Sequence, residues 1–362
     1  MQHVVFFLGG LAALIGGAHL LVRGASQLAG AFGVSPLVIG LTVVAFGTST
    51  PELGVSVSAS LLGQPGIAIG NVVGSNIANL LLILGLCALI RPLVVDRQLI
   101  RYDVPIMIVA SAVALFFARD GKIGPWEGAV LLFVLLGYGT LLIRQALRAA
   151  GWRPLPGRAR PRRLSARGRP LLVAGGGIVV GLAALALGSK WVVDAVSAGA
   201  RALGVSELIV GLTVVAVGTS LPEVVTSIVA TLRREYSIAL GNVIGSCVFN
   251  VLGVLGLAAV VRASGIAVPP SAIHFDFPVM LAASAACLIV FFTGRAMVRW
   301  EGALFFSYYL AYVAYLVVGV AQRGALPTLR EALRGFAIPI TGIVLGASIA
   351  RSVIGRRPRR AR

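Results

Sequence analysis

The chain has 362 residues, of which 58% are hydrophobic and only 12% charged, and its mean hydropathy is +0.97. Soluble domains are about half apolar and roughly a quarter charged, so this composition indicates an integral membrane protein. It excludes a disordered chain, a disulfide-stapled secreted module and an ordinary cytosolic enzyme. The balance of 31 Lys+Arg against 12 Asp+Glu gives a net charge of +19. Most of the arginines lie between apolar runs, where they set membrane topology rather than bind nucleic acid.

A spanning helix needs about 20 mostly apolar residues. Eleven segments qualify: 4–22, 36–62, 67–90, 102–119, 125–146, 171–196, 207–232, 238–261, 275–293, 300–320 and 336–353. The N-terminus lacks the basic stretch of a signal peptide, and 4–22 reads as a retained first helix. Residues 149–169 form a basic hydrophilic loop that separates a first unit, 1–148, from a second, 170–320; residues 321–362 add the eleventh helix and a basic tail. Counting arginine and lysine loop by loop with eleven spans puts 23 on one side and 7 on the other. The positive-inside rule then predicts an outside N-terminus, a cytoplasmic loop at 149–169 and a cytoplasmic C-terminus. Cys87, Cys247 and Cys287 all lie in apolar runs with no CxxC or His/Cys cluster, so no disulfide, zinc or redox chemistry is expected.

The chain repeats itself. Displaced by 171 residues, 40–90 and 211–261 match without a gap at 27 of 51 positions. GLAAL at 10–14 pairs with GLAAL at 181–185, RYDVPIM at 101–107 with HFDFPVM at 274–280, and WEGA at 126–129 with WEGA at 300–303. Each repeat holds five spans. An odd number forces the second copy into the membrane upside down, the inverted-repeat design of secondary transporters, whose site lies near the midplane between the halves.

Glu52 and Glu223 fall at equivalent depths in spans 2 and 7, in the motif G-T-S-x-P-E. A carboxylate at the bilayer centre costs about 2.5–3.5 kcal/mol on insertion scales. With no Lys or Arg in the same segments, a bound cation is the simplest compensation. Pro51 and Pro222 cannot donate to Gly47 and Gly218, which loosens each helix beside its glutamate. Thr48 and Ser49 share a helix face with Glu52, as Thr219 and Ser220 do with Glu223. The following span adds Asn71, Ser75 and Asn79 at i, i+4, i+8, matched by Asn242, Ser246 and Asn250. Carboxylates, hydroxyls, amides and carbonyls form a hard-cation set suited to Ca²⁺ or Na⁺. Elsewhere, Lys190 and Asp194 read as an i, i+4 ion pair and His19 as interfacial. Asp103 and Asp276 read as N-cap or first-turn residues, and Ser35–Pro36 and Ser206–Glu207 as helix starts.

The paired G-T-S-x-P-E and G-N-x-x-G-S-x-x-x-N blocks resemble the two alpha repeats of the cation/Ca²⁺ exchanger superfamily, and above all the prokaryotic sodium/calcium exchangers. The resemblance implies an all-α membrane protein with a ten-helix core of two inverted five-helix repeats, to which the eleventh helix is an addition. It implies that Glu52 and Glu223 are shared Ca²⁺ and Na⁺ ligands and that the carbonyls of Thr48 and Thr219 complete the Ca²⁺ site. It further implies that the carbonyls of Ala45 and Ala216, with Ser49, Ser75, Ser220 and Ser246, serve Na⁺, while Asn79 and Asn250 line the middle. Some relatives carry Asp at the position of Asn250; here both central positions are Asn, so two carboxylates remain, enough to neutralise one Ca²⁺.

The expectation is therefore a secondary active antiporter of the bacterial inner membrane exchanging Ca²⁺ for Na⁺ by alternating access. It has no covalent chemistry, no cofactor, and no partner beyond the bilayer and the transported cations. The rival in the same class is H⁺/Ca²⁺ or other divalent-cation exchange with protons on the two glutamates. Rivals from other classes are a passive cation channel and a structural membrane protein.

Overall fold

The computed structural model describes residues 2–149, 168–202 and 216–321. The expected eleventh span, the body of the basic loop, the expected helix start at Ser206–Glu207 and residues 207–215 of span 7 lie outside them. The described chain is helical apart from short turns and four two-residue strands. Its helices are α1 (Gln2–Phe32), α2 (Pro36–Thr48), α3 (Thr50–Leu61), α4 (Pro65–Ile90), α5 (Leu99–Asp120) and α6 (Pro125–Ala149). The second repeat gives α7 (Gly168–Ala202), α8 (Ala216–Thr219), α9 (Leu221–Leu232), α10 (Tyr236–Val260), α11 (Ala272–Gly294) and α12 (Arg299–Ala321).

Two helices outrun their hydropathy windows. α1 continues past Arg23 to Phe32, where Gly33 turns left-handed at φ 68° and Val34 closes the end on the Ala29 carbonyl. α7 likewise spans Gly168–Ala202. Backbone hydrogen bonding carries a helix through a charged residue that an apolar window rejects. The expected helix start at Ser35–Pro36 is present, with the Ser35 hydroxyl accepting from Val38 N.

α1 and α7 are tied by small residues at seven-residue intervals. A Cβ on Gly17 would stand 2.8 Å from the Gly181 carbonyl, and one on Gly181 would stand 2.7 Å from that of Gly17. Only glycine permits that approach. α4 and α10 occupy the middle of the protein. Their central windows are 72% and 89% buried, against 28% for α1 and 22% for α6, which face outward. The core between them is made of Ile77, Leu80, Ile244, Leu252, Phe277 and Met280.

The pseudo-symmetry reaches the loops. β1 (Leu93–Val94) pairs with β4 (Ala296–Met297), and β2 (Lys122–Ile123) with β3 (Ile266–Ala267), so a loop of each repeat is stitched to a loop of the other at two places. Gly63 (φ 75°) and its counterpart Arg234 (φ 63°) make the same left-handed turn, one with glycine and one with a side chain that tolerates it at some cost.

Asp103 and Asp276 correct the expectation of capping. Each closes a wide π-helical turn, Leu99–Asp103 or Ala272–Asp276, and neither side chain caps a helix. Because the helices begin earlier than hydropathy placed them, the carboxylates are free to accept from Tyr138 and Tyr312 on the next span, each at 3.0 Å. His19 accepts from Arg233 Nε at 3.0 Å in an exposed contact, consistent with an interfacial position. Lys190 and Asp194 are both exposed, one turn apart on α7.

Candidate functional site: a buried oxygen cage between the repeats

The second span is broken at its centre. α2 and α3 meet at 45°, and Ser49, the residue between them, leaves helical geometry at φ −84°, ψ 8°. Pro51 is the cause, because it has no N–H for the Gly47 carbonyl. In the second repeat Ser220 sits between α8 and α9 at φ −86°, ψ 3°, before Pro222. α4 and α10, which cross these breaks, widen into π-helical turns at Ala78–Ile83 and Asn250–Leu255. Such bulges present side chains that a regular helix would point elsewhere and recur at functional sites. The approach of α2 to α10 again depends on glycine: a Cβ on Gly245 would meet the Leu41 carbonyl at 2.8 Å.

These breaks bring the duplicated residues together across the repeat boundary. Glu52 and Glu223 are both wholly buried. Each carboxylate is held by the serine of the other repeat: Ser49 Oγ donates to Glu223 Oε1 at 2.8 Å and Ser220 Oγ to Glu52 Oε1 at 3.0 Å. Ser220 also contacts Ser75 Oγ at 3.1 Å. The threonines cross in the same way, Thr48 donating to Asn242 Oδ1 at 3.0 Å and Thr219 to Asn71 Oδ1 at 3.2 Å. The Ala45 carbonyl accepts from Ser49 N and from the Thr48 hydroxyl, so it lies at the break and is shared within it. Ala216 opens α8.

Asn71 and Asn242 are the brackets of this arrangement. The amide of Asn71 donates to the Glu52 carbonyl and to Ser56 Oγ; that of Asn242 donates to the Glu223 carbonyl and to Ser227 Oγ. Ser56 and Ser227 had a signal in the sequence, being identical residues one turn beyond each glutamate. Asn76 had none from the repeat, since its counterpart is Cys247. Its amide donates to the Cys247 carbonyl at 3.1 Å, and its Oδ1 accepts from Asn250 Nδ2 at 3.2 Å.

Several acceptors in the cage remain without a hydrogen bond. Glu52 Oε2, Glu223 Oε2, Asn79 Oδ1, Asn250 Oδ1 and Ser246 Oγ are buried and unpartnered. A buried polar atom left unpaired costs about 1–3 kcal/mol, and more when charged. Oxygens from both repeats, two of them on carboxylates, are therefore left without a partner in the buried region between the repeats, and they are of the kind a hard cation satisfies. Among the described residues no cluster of three or more His, Cys, Asp or Glu occurs, so the donor set is one of hydroxyls and amides around two carboxylates.

Comparison with known proteins points the same way. Residues 2–144 and 173–318 match the family model described as sodium/calcium exchanger protein. The putative antiporter CaxA of Alkalimonas amylolytica is 37% identical over 286 residues, covering 79% of this chain and 88% of that one. The sodium/calcium exchanger MaX1 of Methanosarcina acetivorans is 34% identical over 338 residues, covering 85% and 96%. Among solved structures, the sodium-calcium exchanger NCX_Mj soaked with 2.5 mM Na⁺ and 1 mM Sr²⁺ superposes with a TM-score of 0.76 at 31% identity, covering 87% of this chain and 98% of that one.

Proposed function

Because the chain belongs to the sodium/calcium exchanger family, we propose that it is a secondary active antiporter exchanging Ca²⁺ for Na⁺ by alternating access. Glu52 and Glu223 bind both ions in turn. The observation that supports this most directly is the pair of buried carboxylates clasped across the repeat boundary, each with one oxygen unpartnered.

The geometry gives a reason for strict coupling. Two uncompensated carboxylates in a dry site are costly, several kcal/mol per ion, so the empty cage resists crossing between its two open states. One set of cations must leave before the other enters, and each crossing takes a load with it. Thr48, Thr219, Ser49, Ser220, Ser75, Ser246, Asn79 and Asn250 complete the oxygen shell, with the carbonyls of Ala45 and Ala216 at the breaks. The protein sits in the bacterial inner membrane with its N-terminus outside and its C-terminal tail in the cytoplasm, following the arginine distribution.

The test is ⁴⁵Ca²⁺ uptake into Na⁺-loaded proteoliposomes, against equal-Na⁺ and pH-gradient controls, with Glu52→Gln beside the wild type. Uptake that needs the outward Na⁺ gradient and vanishes in the variant is expected. Uptake driven only by a pH gradient would put protons on the two glutamates in place of Na⁺. Ca²⁺ flux with no counter-ion requirement would mean a channel.

A further inference from the structure

We propose that the cleft between α1 and the turn joining α9 to α10 binds the phosphodiester headgroup of an anionic phospholipid. The cleft holds about 160 Å³ and is lined by Val22, Arg23, Ser26, Gln27, Arg233 and Glu235. It lies at the edge of the hydrocarbon. Arg23 follows the apolar run 4–22, which has about the length that crosses a bilayer, and Arg233 follows the last residue of α9. Leu20, one turn before Arg23, and Leu232, beside Arg233, are both exposed, so acyl chains have apolar surface next to the charges. The arginine distribution assigns this face to the cytoplasm, where basic pockets between helices hold anionic headgroups.

The charges of the cleft are arranged for an outside ligand. Glu235, the one carboxylate in the lining, accepts from the Ser26 hydroxyl at 2.9 Å. Arg233 Nε donates to His19 Nδ1 at 3.0 Å, a ring and not an acid. That contact steadies the guanidinium through Nε and does not use its two terminal nitrogens, the kind of fork that takes a phosphate. Arg23 lines the same cleft from α1 and is exposed. The fold does not require this basicity. The first repeat has Leu62 and Gly63 at the positions of Arg233 and Arg234, and the second has Asp194 at the position of Arg23. Gly63 and Arg234 make the same left-handed turn, at φ 75° and 63°, and arginine makes it at a cost that glycine does not bear. Three arginines against one glutamate thus stand at this end of the molecule and not at its symmetry-related end.

The experiment is native mass spectrometry of the full chain in detergent. It is titrated with dioleoyl-phosphatidylglycerol, with the phosphatidylethanolamine and phosphatidylcholine of the same chains, and with inorganic phosphate. The expected result is one phosphatidylglycerol held in preference to either zwitterionic lipid, with its affinity falling about fivefold in Arg23→Gln and in Arg233→Gln. Arg144→Gln removes the same charge from an exposed position on α6, which does not line the cleft, and is expected to keep wild-type affinity. Glu235→Gln installs the residue that the first repeat carries as Gln64 and keeps an acceptor for Ser26. It is expected to tighten binding, and it tests the site even where an arginine variant fails to fold. Equal affinity for phosphatidylethanolamine or phosphatidylcholine would overturn the proposal. So would wild-type affinity in both arginine variants, an equal loss in Arg144→Gln, or no gain in Glu235→Gln. Displacement of the lipid by inorganic phosphate would make the cleft a site for the free anion and overturn the lipid assignment.

Discussion

At the scale of residues, the site is an exchange of hydrogen bonds between two copies of one motif. Ser49 and Ser220 each orient a glutamate they do not share a helix with. A hydrogen bond to a charged group contributes about 1.5–3 kcal/mol, part of which an incoming cation replaces. Ser220→Ala is therefore expected to raise the Ca²⁺ concentration for half-maximal uptake by about tenfold, the equivalent of ~1.4 kcal/mol, and Ser49→Ala to act in the same direction with similar size. Ser111→Ala is the control, because Ser111 only donates to Met107 within its own helix. Concentration-dependent ⁴⁵Ca²⁺ uptake checks all three; wild-type half-saturation in both Ser49 and Ser220 variants would mean that the clasp does not hold the glutamates. The members of this site were legible where the repeat preserved them. Asn76 was not, because identity between copies is blind to a residue that works by breaking the symmetry, and Cys247 opposite it answers with its backbone carbonyl and a long thiol contact to the Asn76 carbonyl.

At the scale of elements, glycine spacing decides which helices can touch. Gly16 and Gly17 are neighbours in α1, yet a Cβ on Gly16 meets nothing within 4 Å while one on Gly17 meets the Gly181 carbonyl at 2.8 Å. Gly17→Leu is expected to separate α1 from α7 and lower the midpoint of thermal unfolding in detergent by several degrees, since overpacking costs about 1–3 kcal/mol and a backbone carbonyl cannot rotate away. Gly16→Leu, pointing to lipid, is expected to leave that midpoint unchanged. Equal behaviour of the two variants would refute the packing of this pair. The order of the described helices was readable from hydropathy because lipid forces an apolar exterior. Their ends were not: α1 runs ten residues beyond the segment 4–22 because hydrogen bonding, which hydropathy does not measure, continues to Gly33. The same cause misplaced Asp103 and Asp276, whose role depends on a tyrosine in another helix. The 45° break at Ser49, by contrast, was foreseeable from Pro51.

At the scale of the whole molecule, the arginine distribution predicts two membrane faces of different charge, and the strand pairs identify which loops share a face. β2 pairs with β3, so the loops around Lys122 and Ile266 lie together; β1 pairs with β4, so the loops around Val94 and Ala296 lie together on the other side. α5 runs between them, from Leu99 to Asp120. With an outside N-terminus, the Lys122 loop faces out and the Arg97 loop faces in. Lys122 and Arg97 are both exposed, and the three native cysteines are fully buried, so each position can be converted to cysteine without removing the others. In spheroplasts treated with a membrane-impermeant maleimide, Lys122→Cys is expected to react and Arg97→Cys to stay unmodified until the membrane is permeabilised. The reverse pattern would turn the protein over in the membrane while leaving the fold intact. Labelling of both before permeabilisation would mean that α5 does not cross, and a transporter with an uncrossed fourth span cannot have the second copy inverted. Because five spans per repeat is what places Glu52 and Glu223 at one depth from opposite directions, this labelling pair tests the geometric premise on which competition between ions for the two glutamates depends.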